Sequence, residues 1–334
     1  MCVYFFGVII MNYIVFDLEW NQSPSGKTAD QSIMPFEIIQ IGAVKLDENF
    51  EEQGEFSAYI IPVAYKKLHR KVSEILGVTM DDLYEQGRPF SEVCGDFLEW
   101  CGKDYIFCTW GSMDLTELQR NMAYHNVKNN LPKPLLYYDL QKLYSLEYQD
   151  GKARSTLQHA IEEFNIVQDE DYHMADSDAR YTAKVLGRLS MDKFGKFYSV
   201  DTYRIPASRK EEYHLDFGNY EKYISKGFAK RETAAADREV RSCMCFKCHK
   251  PMKRLIKWFA TNSKTYYGLF MCEKHGLVKG RFKVKQTDDD KNYAVRILKL
   301  TDEEGAEKIR LKQVKEREHR RTARKKHSAA GKAE

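Results

Sequence analysis

Cysteine is scarce in this sequence, and it contains no long uninterrupted apolar run. Its 334 residues include 8 cysteines, and four of them lie late in the sequence, within residues 243–272. This number is too small for a disulfide scaffold, and the clustering is typical of metal ligation, so we expect a reducing, cytoplasmic location. The longest apolar stretch covers about 16 residues from the first one, fewer than the roughly 20 that a membrane helix needs. We therefore expect no membrane association.

The first ten residues form an apolar run. No basic residue precedes it and no small-residue cleavage site follows it, so a secretory signal peptide fits poorly. We expect a buried strand here, or an extension ahead of a start at Met11.

Composition and charge indicate two domains with different electrostatic characters. Hydrophobic residues make up 43% of the chain and aromatic residues 13%, which excludes disorder of the whole chain. The length exceeds what one core usually organises. The net charge of +4 hides a split, because residues 1–200 contain 19 basic and 30 acidic side chains whereas residues 201–334 contain 34 and 19. The two parts are therefore expected to have different roles.

The order of the predicted elements indicates the fold class. Three β-rich runs come first, within residues 13–61, and helical patterns then alternate with a strand at 105–109. Strands that first follow one another and then alternate with helices predict an α/β domain with a mixed sheet flanked by helices. We assign four regions: the α/β domain at 11–195, a charged linker with helical portions at 196–240, a small β module at 241–300, and a charged helix with a basic tail at 301–334.

Acidic residues lie at the ends of predicted strands and at a helix start. Asp17 and Glu19 follow a β run and alternate, so both carboxylates lie on one side of the strand end. Asp114 follows a later strand, and His173 precedes Asp178 by five residues. Neighbouring carboxylates repel unless a cation lies between them, and Mg²⁺ and Mn²⁺ prefer oxygen ligands. Each part taken alone also fits solvated surface acids, helix caps or a loop histidine.

Taken in order, these residues form the pattern Asp-x-Glu, Asp, His-x-x-x-x-Asp, which resembles the DEDDh family of 3′–5′ exonucleases. The resemblance covers about residues 11–190, and its supporting segments are 37–44, 109–114, 138–144 and 155–179. The Trp-Gly-Ser-Met-Asp form at 110–114 is most similar to the Eri-like and KapD-like branch. The resemblance implies an RNase H-like fold.

The resemblance also implies the chemistry. Two Mg²⁺ or Mn²⁺ ions would be held by Asp17, Glu19, Asp114 and Asp178, with Asp17 shared between them. Two such cations activate a water, stabilise charge on the phosphoryl oxygens and assist the departing 3′ oxygen. His173, which titrates near neutral pH, would take the proton from the attacking water. The implied products are nucleoside 5′-monophosphates, released from 3′ ends of single-stranded RNA or DNA.

Several assignments at this site have alternatives. The family's spacing favours Asp178 over the neighbouring Asp176 as the metal ligand. Leu18 would pack near the terminal base in relatives, or it is a core leucine. Trp20 and Trp110 are candidates for stacking on nucleobases, and buried core tryptophans are the alternative.

A cysteine and histidine cluster lies in the predicted β module. A Cys-x-x-Cys knuckle is followed, after 23 intervening residues, by a Cys-x-x-His knuckle. The candidate ligands are Cys245, Cys248, Cys272 and His275. This arrangement resembles a zinc ribbon, and four such ligands with no open position indicate structural Zn²⁺. Cys243 and His249 are candidate substitutes for one of the ligands.

The same module is strongly basic. Residues 241–285 contain 12 basic residues and one acidic residue, with seven aromatic residues interleaved. Cations for phosphates and rings for stacking predict a nucleic-acid groove. The alternative is a solvated basic face over a small aromatic core.

The sequence therefore predicts a metal-dependent 3′–5′ exonuclease whose basic zinc-ribbon-like module presents single-stranded 3′ ends to the active site. One alternative is a catalytically silent nucleic-acid-binding or regulatory protein on the same fold, and the presence of all four acids and the histidine argues against it. Another is a DNA-proofreading subunit that acts with a polymerase, although the appended zinc module favours a free-standing enzyme. The sequence does not predict an oligomeric state.

Overall fold

The structure is a computed structural model, and it describes residues 12–23, 34–168 and 174–330, with side chains up to residue 322. The apolar run predicted at 1–10 and the predicted base His173 lie outside these described residues. The chain divides into two compact units between Tyr203 and Arg204. Of the helices within the described ranges, none combines the length and the apolar character that crossing a bilayer requires.

The first unit is built on a six-stranded mixed sheet. Its strands are β1 (Asn12–Gln22), β2 (Phe36–Leu46), β3 (Glu52–Tyr59), β4 (Tyr105–Thr109), β5 (Leu136–Asp139) and β6 (Ser199–Val200). They lie in the order β3-β2-β1-β4-β5-β6. β1, β2 and β3 pair antiparallel, β4 is parallel to both β1 and β5, and β6 is antiparallel to β5. Because β1 and β4 are parallel neighbours, their carboxyl ends lie at the same edge of the sheet.

Helices pack on both faces of this sheet. They are α1 (Arg70–Leu76), α2 (Met80–Gln86), α3 (Phe90–Cys101), α4 (Met113–Tyr124), α5 (Leu140–Tyr148), α6 (Leu157–Glu163), α7 (Ala175–Leu186) and α8 (Met191–Phe194). One core packs Phe16 with Phe97 of α3 and Leu118 of α4, and the other packs Val15 with Tyr181 of α7. Successive residues of β1 therefore serve opposite cores. This arrangement confirms the predicted RNase H-like α/β fold.

The second unit is built on a six-stranded sheet in which every neighbouring pair is antiparallel. Its strands are β7 (Tyr213–Asp216), β8 (Tyr220–Ile224), β9 (Lys253–Ala260), β10 (Thr265–Cys272), β11 (Gly276–Gln286) and β12 (Asn292–Leu300). They lie in the order β7-β8-β12-β11-β10-β9. Two helices complete the unit, α9 (Arg231–Ala236) and α10 (Glu303–Ala330).

The two faces of the second sheet have different covers. Ala234 of α9 packs with Phe282 of β11 on one face, and the cysteine-rich segment extends the same cover. On the opposite face, Ala306 and Ile309 of α10 pack with Leu277 of β11. The helix predicted at the C-terminal end of the sequence is thus part of a folded unit.

The structure corrects the linker predicted at 196–240, because this segment contributes β7, β8 and α9 to the second unit. Its two strands have only 4 and 5 residues, so they give a weak periodic signal. Its charged residues, which suggested a linker, form ion pairs: Arg209 lies 3.1 Å from Glu212 and 2.5 Å from Asp237. The predicted β module at 241–300 is therefore four strands of a larger sheet rather than a separate module.

Candidate active site and metal centres

Three carboxylates meet beside β1, which continues to Gln22, so Asp17 and Glu19 lie within this strand and not after it as predicted. Asp17 and Glu19 lie on one side of this strand, and Asp178 lies in the first turn of α7. Ligand oxygens of these three residues all lie within 4.8 Å of one another. Hard cations bind oxygen at about 2.0–2.6 Å. Oxygens this close together can therefore converge on one cation.

Asp114 adds a fourth carboxylate from α4. It lies in the first turn of this helix, beyond the carboxyl end of β4, and it is 5% exposed. Burial and then the charge of Asp114 raise the pKa of Asp17 well above its usual value, and Glu19 and Asp178 add to this effect. The fold thus places three of the predicted ligand acids within reach of one cation, and Asp114 lies near enough to raise the pKa of Asp17 and of Glu19.

These acids resist ionising together. Burial, followed by the charges of Asp178 and Asp114, raises the pKa of Glu19 from 4.5 to about 8. Burial also raises the pKa of Asp114 from 3.8 to about 7. Such groups are partly protonated at neutral pH unless a positive charge compensates them. A donor set made only of carboxylates fits Mg²⁺ or Mn²⁺, which would supply that charge.

The start of α7 is fixed by two residues of β2. Gln40, which is 2% exposed, accepts a hydrogen bond from the backbone N–H of Ala175 at 3.1 Å and donates one to Asp176 at 3.2 Å. A Cβ atom added at Gly42 would lie 2.1 Å from the carbonyl carbon of Ala175, so only glycine permits this backbone approach. Spacing in the sequence gave neither residue a role, because both contacts join segments more than 130 residues apart.

The structure also separates the two candidate aspartates of α7. Asp176 forms an ion pair with Arg180 at 2.9 Å, and Arg180 reaches Glu55 of β3 at 2.8 Å. Asp178, two residues further along the helix, joins the carboxylate cluster instead. Asp176 therefore helps to hold α7 on the sheet while Asp178 faces the other acids.

The comparison with known families decides the identity of the first unit. The family model RNase_T, described as Exonuclease, matches residues 14–186, just over half of the chain. The chain belongs to the RNase_T exonuclease family. This match includes all four clustered acids, and it confirms the exonuclease resemblance predicted over residues 11–190.

Solved structures of nucleases are similar to this exonuclease. The nuclease domain of 3'hExo, described as a DEDDh family member bound to rAMP, is 19% identical with a TM-score of 0.49, covering 58% of this chain and 98% of that one. Cell-death related nuclease 4 (CRN-4) is 19% identical with a TM-score of 0.46, covering 60% and 73%. E. coli Exonuclease I in complex with a dT13 oligonucleotide is 13% identical with a TM-score of 0.44, covering 78% and 55%. No curated protein matches the chain.

The predicted substrate contacts of the exonuclease lie largely in its core. Leu18 is 3% exposed and belongs to the core cluster around Phe16. Trp110 is partly buried, and its Nε1 donates a hydrogen bond to the carbonyl of Ser155 at 3.2 Å. Trp20 packs partly buried against the first core. Leu18 thus lies where the core alternative places it, both tryptophans are partly buried, and contact of these side chains with substrate stays a prediction.

In the second unit the exonuclease brings four soft ligands together. Cys245 and Cys248 lie before β9, Cys272 ends β10, and His275 lies in the turn to β11. The Sγ of Cys272 lies 3.7 Å from that of Cys248 and 3.6 Å from Nδ1 of His275, which lies 3.4 Å from the Sγ of Cys245. With Zn–S bonds of about 2.3 Å and Zn–N bonds of about 2.0–2.1 Å, the edges of a tetrahedron are about 3.5–3.8 Å. The four residues therefore fit a tetrahedral metal site.

The knuckle turns also prepare one thiol for ligation. Burial raises the pKa of Cys272, but backbone N–H groups of His275 and Lys274 and the neighbouring side chains outweigh it and lower this pKa from 9.0 to about 6. A thiolate is the form that binds metal. The group of metal-binding side chains found here among the described residues includes neither Cys243 nor His249.

The aromatic residues of the stretch 241–285 form the core of the second unit. Phe270 and Phe282 are both 0% exposed. Tyr266 stacks on Phe282 with ring centres 4.3 Å apart, and Trp258 packs against both phenylalanines. These rings are thus used for packing, as in the alternative of a basic face over an aromatic core, whereas Phe259 and Tyr267 lie partly buried on the face covered by α10.

Proposed function

We propose that this exonuclease removes nucleotides from the 3′ ends of single-stranded nucleic acid and releases nucleoside 5′-monophosphates. One observation carries the proposal: carboxylate oxygens of Asp17, Glu19 and Asp178 lie within 4.8 Å of one another, and the charge of Asp114 acts on both Asp17 and Glu19. The family match supports a nuclease, and the carboxylate cluster supports hydrolysis that depends on a divalent metal.

The four acids and His173 have separate roles in the proposed reaction. Two Mg²⁺ or Mn²⁺ ions held by the four acids would lower the pKa of water and stabilise charge on the phosphoryl oxygens. His173, which precedes α7 in the sequence, accepts a proton from the attacking water. The water oxygen bonds to phosphorus, the bond from phosphorus to the 3′ oxygen of the preceding nucleotide breaks, and this oxygen takes up a proton from water. The shortened strand then has a new 3′ hydroxyl.

The second metal centre has a structural role in this proposal. We assign Zn²⁺ to Cys245, Cys248, Cys272 and His275, because four sulfur and nitrogen ligands leave no position for water. The site joins the turn before β9 to the turn between β10 and β11. It thereby holds the cysteine-rich segment on the sheet.

The test uses the full-length protein with Mn²⁺ and oligonucleotides labelled at the 5′ end, in RNA and DNA versions. We expect labelled products that shorten one nucleotide at a time, with 5′-monophosphates identified by chromatography. Asp178→Asn and His173→Ala should each lower the rate by at least about 100-fold. Asp81→Asn removes an exposed carboxylate in α2 and should leave the rate unchanged.

Two results would contradict the proposal. Immediate release of the labelled 5′ nucleotide would show the opposite polarity. An unchanged rate in Asp178→Asn would show that the carboxylate cluster does not carry the reaction. The rates on RNA and on DNA, compared under the same conditions, identify the preferred strand.

A further inference from the structure

One face of the sheet in the second unit is only partly covered. Ala306 and Ile309 of α10 pack with Leu269 and Leu277. Farther along the helix, the ammonium of Lys312 lies 4.5 Å from the ring centre of Tyr267. The helix thus lies over β10 and the first residues of β11. Beyond the helix this face is exposed along β11, at Arg281 and Lys283, whereas Tyr293, Tyr220 and Ile224 on the neighbouring strands are buried.

Basic side chains occupy this remaining part. Along β11 they alternate with residues that are buried on the opposite face, and the strand register continues them onto β12 and β8. We call this set the cationic face: Lys222, Lys279, Arg281, Lys283, Lys285 and Lys299. Arg281 and Lys283 are exposed, and Lys279 lies directly across from Lys299. Ile297 lies between Arg281 and Lys222.

No acidic side chain lies on the same face of these three described strands. The other positions on this face of β12 and β8 are apolar or tyrosine. Glu221 of β8 lies on the opposite face, where it pairs with Arg296 at 3.1 Å. Burial and then the positive charge of Lys299 lower the pKa of Lys279, and Lys308 adds to this effect, whereas the negative charge of Asp302, just before α10, opposes it. An anion bound here would relieve this repulsion.

The geometry of the face indicates the kind of anion. Alternate residues of a strand are about 7 Å apart, so the β11 cations form a regular row that suits a chain of phosphates rather than one small anion. Of the tyrosines on this face, Tyr220 and Tyr293 are buried, and Tyr267, directly across from Arg281, is partly buried with the ammonium of Lys312 at its ring. Base stacking therefore has no platform on β8 or β12, and contacts to the backbone remain.

We propose that the cationic face binds the phosphodiester backbone of single-stranded nucleic acid without reading its bases. This inference rests on the proposed function in one respect, that a nucleic-acid strand is the substrate. The face is distinct from the carboxylate cluster, and it includes Lys222 and Lys299, which lie outside the basic stretch 241–285. In this proposal electrostatic attraction to phosphates, and not the ring stacking predicted from the sequence, holds the strand.

The test compares two full-length triple variants that remove the same charges. The first carries Lys279→Gln, Arg281→Gln and Lys283→Gln. The control carries Lys230→Gln, Arg238→Gln and Lys250→Gln, three exposed residues in the segment that covers the opposite face. Binding to a fluorescent oligonucleotide of about 20 nucleotides is measured at several salt concentrations, in an Asp17→Asn background that prevents degradation.

Each phosphate contact contributes about 0.7 to the salt slope of single-strand binding. The first triple variant should therefore lower the slope by about 2 and weaken binding about 100-fold at 0.1 M salt. The control should change the Kd less than about threefold, because it removes only distant charge. Equal Kd values and slopes for the first variant and the parent protein would overturn the inference, as would an equal loss in the control.

A second readout separates this inference from the proposed function. With Asp17 restored, hydrolysis of a nitrophenyl ester of a nucleoside 5′-monophosphate requires only the active site, so the first triple variant should keep the parental rate. Loss of this activity in the variant would show that the substitutions disturb the fold, and the inference would then fail. If the parent protein does not hydrolyse the ester, the proposed function fails while the binding result still stands.

Discussion

The carboxylate cluster predicts that removing the charge of Glu19 stabilises the metal-free protein at high pH and destabilises the protein when Mn²⁺ is bound. Burial and the neighbouring charges raise the pKa of Glu19 from 4.5 to about 8. A carboxyl whose pKa is raised by folding contributes stability at low pH and loses it as the pH rises through the folded pKa. Glu19→Gln keeps the shape of the side chain and removes this charge. Without Mg²⁺ or Mn²⁺, the variant should therefore be more stable than the wild type at pH 9 and nearly equal to it at pH 5.

The size of the effect follows from the pKa. Each pH unit between the unfolded and folded pKa is worth about 1.4 kcal/mol. Ionised Glu19 should therefore lower the free energy of unfolding by on the order of 3–5 kcal/mol at pH 9. With Mn²⁺ present the order reverses, because the wild type binds the cation more tightly and gains stability by mass action.

The assay is urea unfolding followed by tryptophan fluorescence. Three of the four tryptophans, Trp20, Trp100 and Trp110, lie in the first unit, so the signal reports mainly on the exonuclease fold. Glu85→Gln, at an exposed position of α2, is the matched control and should behave as the wild type in all conditions. The reasoning is refuted if Glu19→Gln destabilises the metal-free protein at pH 9, or if Mn²⁺ stabilises both proteins equally.

Two further predictions concern the docking of α7 and the zinc site. Gly42→Ala should abolish nuclease activity and lower the free energy of unfolding by at least about 2 kcal/mol, because the new Cβ would lie 2.1 Å from the backbone of Ala175. The control is Gly95→Ala, where a new Cβ would meet no atom within 4 Å, and it should keep activity and stability in the same assays. Cys272→Ser should lose its bound zinc, measured by mass spectrometry, and the free energy of unfolding of the second unit should fall by at least about 5 kcal/mol. The control, Cys243→Ser, should keep one zinc per chain. Equal zinc content in both variants would contradict the ligand assignment.

Local sequence patterns were sufficient to predict the α/β fold of the first unit and the acidic and cysteine-histidine residues that the structure brings close together. Asp17 and Glu19 alternate directly after an apolar run, and the knuckle spacing of Cys245 and Cys248 is itself short-range. Such signals depend on a few neighbouring residues, so they can be recognised without knowledge of the tertiary structure. The α/β order of elements, read in the same way, predicted the mixed sheet.

Features that depend on distant partners could not be predicted. Gln40 and Gly42 act only because β2 meets the start of α7. The strands β7 and β8 are short and charged, and their place in the sheet depends on β12, about 70 residues later in the sequence. The aromatic residues of the basic stretch gave no indication of which sheet face they occupy, and Phe282 proved to be core.

The two candidate metal centres differ in the length of chain that a bound ion would close. Asp17 and Asp178 are separated by about 160 residues, so a cation that holds both restricts the unfolded chain as a long cross-link would, by roughly 5 kcal/mol in loop entropy. Cys248 and Cys272 close a loop of only about 24 residues, worth about 3 kcal/mol. Short loops close readily and long ones late. We therefore expect the cysteine site to form early in folding, and the catalytic site to become complete only after the whole first unit has assembled.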